Sequence, residues 1–383
     1  MEEYDIVIIG GGIAGSVAAK FAAQGGLKVL MVERYKTPRE KPCSGIQFPY
    51  FQRIIGETIP KNQLCKVRLN KVKIYLPNGK SIGSPFGMLN FMRKPFDHWL
   101  NTIAQERGAK FRDECMLKDF EEFEDYVDIQ LLEKDESITA VRTRYLLDAT
   151  GLRPKIRMKL RPNDFKGRPS GATLNYYING TANLNPNTLY QFWNIDWNDA
   201  MFAWIYMKTL DDGNNYWVVG TGCNTGKVID RQTLFYDYVK QKFNIQGEII
   251  KKEGFSITID MNSKERIWLG ENRILMVGDA AGLIDQVRGV GIDAAALSGR
   301  FAAMAILEAD KKKTKAIDEY RRLTTKMVAQ TKRNQNREIN VFTNNDQLQE
   351  HLNKNIIKMG LGIIFHGIIN NLRSLEDFVL LPP

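Results

Sequence analysis

Three glycines and one acid near the start of the chain have the spacing of a dinucleotide-binding site. Gly10, Gly12 and Gly15 follow one apolar run, and Glu33 ends the next. Gly10 allows a tight turn, Gly12 a close approach to a pyrophosphate, and Gly15 close packing of helix on strand. Glu33 can accept hydrogen bonds from the hydroxyls of an adenosine ribose. The pattern predicts a bound dinucleotide other than NADP, because the acid would repel a 2′-phosphate.

The elements around these residues fit that chemistry. Residues 6–9 predict a strand, an Ala-rich helix follows the glycines, and residues 29–32 predict a second strand. The N-terminus of the helix would present unpaired N–H groups and the positive end of its dipole to the phosphates. This context favours a binding site over the alternative, a Gly-rich turn in an ordinary βαβ unit.

Length, charge and composition indicate how many domains, which partners and which metals to expect. The chain has 383 residues, enough for about two domains, and a formal net charge of +10. Such a charge suits an acidic redox protein or a phospholipid, although lysines that serve only solubility explain it equally well. No clustered basic stripe is present, so we expect no nucleic acid. Four scattered cysteines and three histidines show no ligand spacing, so we expect no metal.

The sequence also bears on location. The first predicted strand begins almost at Met1, which leaves no room for a signal peptide. No apolar run reaches the length that spans a bilayer. We therefore expect a cytoplasmic protein, with contact to a membrane surface as a further expectation.

The remaining patterns predict an α/β fold with an α+β insertion. Residues 34–45 carry two prolines and predict a loop, and residues 66–90 predict a hairpin around Asn78-Gly79. A helix is expected at 93–108, followed by strands near 109–116, 118–124, 126–133 and 138–144 and a separate buried strand and turn at 145–151. Further along we expect strands within 171–224, a helix at 231–243, a strand at 248–260, an apolar run at 273–278, and helices at 291–310 and within 314–373.

This order predicts a discontinuous first domain. Residues 1–70, 91–155 and 265–310 would form a Rossmann-like dinucleotide-binding domain. Residues 71–90 and 156–264 would form a β-rich substrate domain, and residues 311–383 a C-terminal helical region.

Four separated motifs together resemble a known family. They are GGGIAG with Glu33, Arg93 at a helix start, LLDATG at 146–151, and VGDAAG at 277–282 followed by RGVGI at 288–292. In this order they resemble the FAD-binding domain of the glutathione-reductase-type flavoprotein superfamily. The similar branch contains aromatic hydroxylases, flavin halogenases and geranylgeranyl reductases. The resemblance implies that the dinucleotide is FAD.

The same resemblance implies a set of cofactor contacts. Asp279 would bond the ribityl chain, and Gly289, Gly291 and Ile292 would lie at the flavin pyrimidine edge. Backbone N–H groups there would stabilise negative charge on the reduced flavin. Arg93 would approach the phosphate side and Met116 the adenine. The set of cofactor contacts is completed by Ala14, Arg34, Cys43 and Ser44. Residues 286–288, Gln-Val-Arg, depart from the family pattern, which often has a proline here.

Two further features resemble geranylgeranyl reductases. The segment PREKPCSG is similar to a loop in which a cysteine, here Cys43, stands close to flavin and substrate. FAWIYM followed by GTG resembles the element that lines the prenyl pocket, which implicates Phe202, Trp204, Tyr206, Gly220 and Gly222. Alternation places the three aromatic residues on one strand face. The alternatives are that these rings are ordinary sheet core and that Cys43 only fills space.

The resemblance implies an FAD-dependent oxidoreductase that reduces C=C bonds of a prenyl chain, with Cys43 as the catalytic candidate. No second GxGxxG is present, so NAD(P)H or a reduced ferredoxin would dock transiently. Lys71, Lys73 and Lys80 could attract an acidic ferredoxin. The alternatives are a monooxygenase of the same fold and an electron-transfer flavoprotein at a membrane.

The C-terminal segment 356–372 is apolar and short of the roughly 20 residues that span a bilayer. Lys354, Lys358 and Arg373 flank or interrupt it with positive charge. It predicts either a helix that rests on anionic membrane and caps the substrate tunnel or one that packs on the substrate domain.

Overall fold

The chain forms two β-sheets with helices around them. The structure is a computed structural model that describes residues 1–165, 171–198, 202–224, 227–257, 266–285, 291–335, 342–378 and 380. The strands are β1 (Glu2–Ile9), β2 (Val29–Val32), β3 (Ile46–Gln47), β4 (Leu69–Tyr75), β5 (Ser81–Asn90), β6 (Lys110–Arg112), β7 (Met116–Glu122), β8 (Val127–Leu132), β9 (Ile138–Asp148), β10 (Gly171–Thr181), β11 (Thr188–Phe192), β12 (Ala203–Thr209), β13 (Asn215–Asn224), β14 (Gln246–Ile257), β15 (Gly270–Glu271) and β16 (Ile274–Met276). The helices are α1 (Ile13–Gln24), α2 (Phe51–Ile55), α3 (Lys61–Leu64), α4 (Arg93–Glu106), α5 (Lys155–Leu160), α6 (Val228–Lys242), α7 (Ile292–Lys312), α8 (Ala316–Gln335) and α9 (Asn345–Leu372).

The first sheet has a parallel centre. Its order is β15–β16–β9–β1–β2–β6, and β8 and then β7 extend it from β9. From β16 to β6 all pairs are parallel, whereas β15, β8 and β7 pair antiparallel. Strand β2 and the second half of β1, Ile6 to Ile9, are apolar and buried, as expected for a parallel sheet covered on both faces. The carboxyl ends of β1, β9 and β16 meet at one edge, where ligands of such sheets bind.

The second sheet is largely antiparallel. Its order is β14–β10–β13–β12–β11–β4–β5–β3, and only the β11–β4 pair among its described pairs is parallel. Helix α6 covers one face, where Phe235 and Val239 pack on Ile205 and Val219. The other face carries a second apolar cluster around Tyr177, Tyr206 and Val218.

Small residues bring two long helices of the first sheet together. Helix α1 packs on α7, and a methyl group at Gly299 would fall inside contact distance of the Ala14 carbonyl oxygen. Backbones can approach this closely only where side chains are small. The small residues of α7 around Gly299 therefore lie against α1.

Most elements match the sequence-based expectations. The α/β fold class is confirmed, and the hairpin between β4 and β5 turns at Gly79, where φ is +80°. The prediction of separate strands at 138–144 and 145–151 is wrong, because β9 is continuous from Ile138 to Asp148. No Gly or Pro interrupts that stretch, and the whole length of β1 pairs with it. Strand β3, inside the segment predicted for the first domain, pairs with β5; the domain boundaries stay a prediction.

Helix α9 links distant parts of the fold. Leu348 and Leu352 pack on Leu76 and Trp193 beside the second sheet, and His366 is buried near the other end of the helix. In the described part of the chain, no helix combines the length and apolar character needed to cross a bilayer.

Candidate active site

The glycine turn after β1 is closely packed except on one side. A methyl group at Gly15 would overlap the Gly10 carbonyl oxygen, and one at Gly10, where φ is +112°, would lie 2.5 Å from the Ala149 oxygen. At Gly12, the first residue before α1, the nearest atom would be Nη2 of Arg39 at 3.4 Å. Gly12 therefore leaves the N-terminus of α1 open, as a pyrophosphate would require.

Glu33 lies directly beside this turn. Its carboxylate is 5 % exposed and accepts hydrogen bonds from the backbone N–H groups of Gly11 and Tyr35, both at 3.1 Å. These bonds orient the acid at the end of β2. The Glu33 carbonyl accepts from the N–H of Cys115 at 3.0 Å, so Met116 at the start of β7 lies close to the same acid.

Arg39 is a site residue that the sequence analysis missed. Its Nε lies 3.1 Å from Oε2 of Glu33, and its Nη1 lies 3.8 Å from Oδ2 of Asp97. Among the described residues, the buried Nε has no partner with hydrogen-bond geometry. A guanidinium beside the open N-terminus of α1 fits a phosphate group. In the sequence, only its place in the polar loop 34–45 could have suggested this role.

Arg93 is held in a buried ion pair at the start of α4. Its Nε donates to Oδ1 of Asp97 and its Nη2 donates to Oδ2, both at 2.7 Å. Burial by itself lowers the pKa of Arg93, but Asp97 and then Cys43 outweigh it and hold the pKa above its usual value. Asp97 was not predicted as a site residue, although it lies one helical turn from Arg93. The pair links the glycine turn, through Arg39, to Cys43.

The third and fourth motifs meet the first at the sheet edge. Asp148, at the end of β9, accepts from the N–H and hydroxyl of Thr150 and from the N–H of Ile156, at 2.9, 2.6 and 3.1 Å. Burial raises the pKa of this carboxyl. The Ala149 N–H donates to the Ile9 carbonyl, and the Val277 N–H donates to the Asp148 carbonyl. These bonds bring the three strand ends together.

Asp279 and the start of α7 lie together on the far side of the edge. A methyl group at Gly291, which precedes α7, would lie 3.2 Å from Oδ1 of Asp279. Ile292 is the first residue of α7 and is buried. Gly289 and residues 286–288 lie outside the described residues. The Lys41 ammonium lies in the field of Asp279 and Cys43, and burial and then Arg93 lower its pKa.

The loop that carries Cys43 is fixed to the second sheet. Lys208 on β12 donates from Nζ to the Ser44 carbonyl, and the lysine side chain is fully enclosed. Burial lowers the pKa of Lys208 to about 8. Gly45, with φ of +60°, follows Ser44 at a turn that leaves no room for a side chain. Cys43 is half-buried between this anchor and Arg93.

The predicted aromatic face is present in part. Trp204 and Tyr206 share one face of β12 with Lys208, whereas β12 begins at Ala203, after Phe202. Phe202 instead packs beside the Trp193 ring, with centroids 6.0 Å apart, and touches the edge of Trp204. The strand prediction was therefore one residue too long at this end.

Gly220 makes room for a polar bridge across the sheet. The indole Nε1 of Trp204 donates to Oδ1 of Asn175 at 2.8 Å, passing over Gly220 on β13. A methyl group at Gly220 would overlap both partners, whereas one at Gly222 would lie 3.2 Å from the Thr173 methyl and 3.3 Å from the Ala172 carbonyl oxygen. Trp204, Tyr206 and Asn175 therefore lie on one face of the second sheet, which we call the wall. The sequence did not reveal Asn175 as a member of it.

Two predicted cofactor residues lie at the margin of this arrangement. Arg34 is exposed, and its guanidinium stacks on the Tyr35 ring at 4.4 Å. Ala14 is buried in the first turn of α1 and lies against Gly278 and Gly299.

Comparisons with known proteins agree with this geometry. Residues 4–82 match the family model described as pyridine nucleotide-disulphide oxidoreductase. A digeranylgeranylglycerophospholipid reductase of Methanosarcina acetivorans is 26% identical over 325 residues, which cover 80% of this chain and 75% of the relative.

Two solved structures show the same fold. A geranylgeranyl bacteriochlorophyll reductase-like protein of Thermoplasma acidophilum superposes with a TM-score of 0.77 and 19% identity, covering 99% of this chain and 94% of that one. A flavin-dependent brominase superposes with a TM-score of 0.66 and 18% identity, covering 86% of each chain. These comparisons confirm the predicted resemblance to geranylgeranyl reductases, and the chain is an FAD-dependent oxidoreductase.

Proposed function

We propose that the protein reduces carbon–carbon double bonds in the prenyl chain of an isoprenoid lipid. The observation that carries this proposal is the position of Cys43, between the buried Arg93 beside the glycine turn and the sheet face of Trp204 and Tyr206. An aromatic face of this kind suits an isoprenoid tail. The name of the Methanosarcina acetivorans relative supports the same class of substrate.

The residues present fit FAD at the edge of the first sheet. Gly12 leaves the N-terminus of α1 open to phosphate, and Arg39 adds a cation whose Nε has no hydrogen-bond partner in the described part of the chain. Glu33 would bind the ribose, and Asp279 with the start of α7 would hold the flavin end. When bound, FAD supplies the hydride that reduces the double bond.

The protein's own groups would position the substrate and provide the proton. The wall of the second sheet encloses the tail and excludes water, and the anchor from Lys208 to Ser44 fixes the loop against it. The thiol of Cys43 would hold the proton at Sγ, beside the guanidinium of Arg93. A thiol is a weak acid, so its position relative to the double bond has to compensate.

We infer that the electron donor docks transiently, either as NAD(P)H or as a reduced ferredoxin. The described lysines of the β4–β5 hairpin support an acidic protein donor. Lys71 and Lys80 are exposed and Lys73 is half-buried. By contrast, Lys312 at the end of α7 is paired with Glu308 and Glu319, as in a solvated helix end. Reduction rates that fall steeply with salt would support the ferredoxin, and salt-independent reduction by NAD(P)H would exclude it.

We also propose that α9 rests on a membrane surface. Large apolar residues on this helix are exposed at spacings of three and four, so they share one face: Leu361, Phe365, Ile368 and Leu372. Lys354 and Arg373 bracket this face and are exposed. An apolar stripe with basic flanks is typical of interfacial helices.

Liposome flotation tests the membrane proposal. Binding should require anionic lipid, fall with salt, and decrease in the double variant Phe365→Ser, Ile368→Ser. A matched control, Ile229→Ser with Leu234→Ser, removes two equally exposed apolar residues from α6 and should not change binding. Wild-type protein that ignores anionic vesicles would refute the proposal.

The function itself is tested with a reduced enzyme and a prenyl lipid under anaerobic conditions. Mass spectrometry should show hydrogen added across double bonds. Cys43→Ala should retain FAD and its reduction by dithionite while lowering the rate of alkene reduction about 100-fold. An unchanged rate at saturating substrate would make Cys43 a space-filling residue. In a separate assay in air, oxygen consumption coupled to product formation by wild type would instead support a monooxygenase.

A further inference from the structure

A row of polar groups crosses the face of the second sheet that lies under Cys43. Tyr206 on β12 is opposite Val218 on β13, Val218 is opposite Tyr177 on β10, and Tyr177 is opposite Lys251 on β14. Residues directly opposite each other on neighbouring strands point to the same side. Tyr206, Tyr177 and Lys251 therefore share the face that carries Trp204, where an apolar pocket alone would need no such groups.

The outer part of this row is connected to the protein surface. The Tyr177 hydroxyl donates to Oε2 of Glu253 at 2.9 Å, and Nζ of Lys251 lies 3.1 Å from Oε1 of the same carboxylate. The Lys251 side chain is 33% exposed, and its ammonium also lies 3.8 Å from the exposed carboxylate of Glu40. A continuous set of polar groups thus leads from water to the Tyr177 hydroxyl.

The inner end of the row is the hydroxyl of Tyr206. This residue is 1% exposed, and among the described residues its oxygen has no hydrogen-bond partner. Burial and then the neighbouring Cys43 and Glu253 raise its pKa, so the hydroxyl can give up its proton only as it receives another. An unpaired buried hydroxyl is destabilising, and it needs an acceptor. Cys43 lies near it without a direct hydrogen bond, so a water between them would link the hydroxyl to a thiolate at Cys43.

We propose that Tyr206, Tyr177 and Glu253 form a proton path that recharges the Cys43 thiol after each reduction. The proposal rests on the proposed function. The hydride for one alkene carbon would come from bound, reduced FAD, and the S–H bond of Cys43 would break as the second C–H bond forms. The thiolate would then take the Tyr206 hydroxyl proton through a bridging water. Tyr206 is reprotonated from Tyr177 through a bridging water, and Glu253 passes on a proton from bulk water at Lys251.

Several charged or titratable groups lie around Cys43. From the loop, α4 and the second sheet these are Lys41, Arg93, Tyr177, Tyr206, Lys208 and Glu253. Arg93 is engaged by Asp97, and Lys208 is engaged by the Ser44 carbonyl. Among the described groups, only the tyrosine row leads from Cys43 through Glu253 to the exposed Lys251. The path is therefore assigned to the tyrosines.

The first test needs no lipid substrate. In FAD-loaded protein, alkylation of Cys43 by iodoacetamide is followed against pH by mass spectrometry; the other three cysteines are buried and serve as internal references. Tyr206→Phe removes the donor to the thiolate, so the alkylation profile should move to higher pH and the rate at pH 8 should fall about three- to tenfold. Tyr190→Phe is the control, because that buried hydroxyl bonds Asn185 on the opposite face.

The second test measures proton delivery. In single turnovers of reduced enzyme with a prenyl substrate, Tyr206→Phe and Glu253→Gln should slow flavin reoxidation about tenfold and increase the solvent isotope effect. Reduction of the flavin by dithionite, FAD content and melting temperature should remain those of wild type and of Tyr190→Phe.

The outcomes are separable. Unchanged alkylation in Tyr206→Phe would refute the link between the Tyr206 hydroxyl and the Cys43 thiol, and it would overturn the path. Altered alkylation with a wild-type isotope effect in Glu253→Gln would overturn the path beyond Tyr206. If no prenyl lipid reoxidises the flavin of wild type, the proposed function fails, while the alkylation result still decides whether Tyr206 serves Cys43.

Discussion

The glycine turn and the wall of the second sheet are built in opposite ways. At the turn, backbone atoms approach so closely that side chains are excluded, and Gly10 and Gly15 are each enclosed by carbonyl groups. At the wall, one missing side chain at Gly220 lets Trp204 and Asn175 meet across a strand. Under the proposed function, the first region would hold a constant group, the cofactor phosphate, and the second would be shaped by side chains that can vary with the substrate.

The largest effect should follow from filling the closed part of the turn. Gly15→Ala would force a methyl group into the Gly10 carbonyl, and it should lower the free energy of unfolding of the apoprotein by about 3 kcal/mol. Gly12→Ala, on the open side, should cost about 1 kcal/mol or less yet weaken FAD binding. Chemical denaturation of both variants measures the difference. Equal losses would mean that the turn is not packed as described.

Next in size is the loss of the acid beside the turn. Glu33→Arg removes the acceptor of the Gly11 and Tyr35 N–H groups and places a second cation beside Arg39. FAD affinity should fall about 10- to 100-fold, measured by fluorescence titration of the apoprotein. Glu3→Arg, an exposed change of the same charge, is the control. Full retention of the cofactor by Glu33→Arg at low FAD would overturn the assignment of the ribose site.

Filling the gap in the wall should have a smaller effect that stays within the second sheet. Gly220→Ala displaces Trp204 or Asn175, and it should lower the free energy of unfolding by about 2 kcal/mol. FAD affinity should be unchanged, because Gly220 belongs to the second sheet and the glycine turn to the first. Gly222→Ala should be milder, because its methyl group would approach no atom closer than 3.2 Å. A Gly220→Ala variant with normal stability and a normal tryptophan emission spectrum would contradict this account.

The smallest effect concerns the buried Lys208. In the folded protein this lysine loses its proton near pH 8, whereas in the unfolded chain it keeps it to about 10.5. The unfolded state therefore binds more protons in this interval, so the contribution of Lys208 to stability rises with pH. Between pH 8 and 9.5, wild type should gain about 1 kcal/mol relative to Lys208→Met. Parallel stability curves for the two proteins would show that the lysine is not held in its neutral form.

The sequence predicted those parts of the site whose interacting residues lie close together in the chain. The turn could be predicted because Gly10, Gly12, Gly15 and Glu33 lie within one βαβ unit, where local spacing determines geometry. Cys43 was selected by resemblance, and its neighbours were not. Arg39 lies in a loop whose course no periodicity describes.

The residues of the wall were missed for a different reason. Tyr177, Glu253 and Asn175 reach Trp204 and Tyr206 only through the pairing of β10, β12, β13 and β14, whose order differs from their order in the chain. Strand pairing over such separations cannot be obtained from alternation within one strand. Phe202 illustrates the same limit, because alternation placed it in a strand that begins after it.

The bond from Lys208 to the Ser44 carbonyl has a consequence for how this enzyme can diversify. The donor belongs to the wall of the second sheet and the acceptor is the neighbour of Cys43, so a shift of β12 would carry the Cys43 thiol with it. Substitutions that reshape the pocket can then accumulate while the alignment of thiol and wall is inherited unchanged. Substrate range could then change while the reaction geometry is kept, because Lys208 holds the Cys43 loop against the wall.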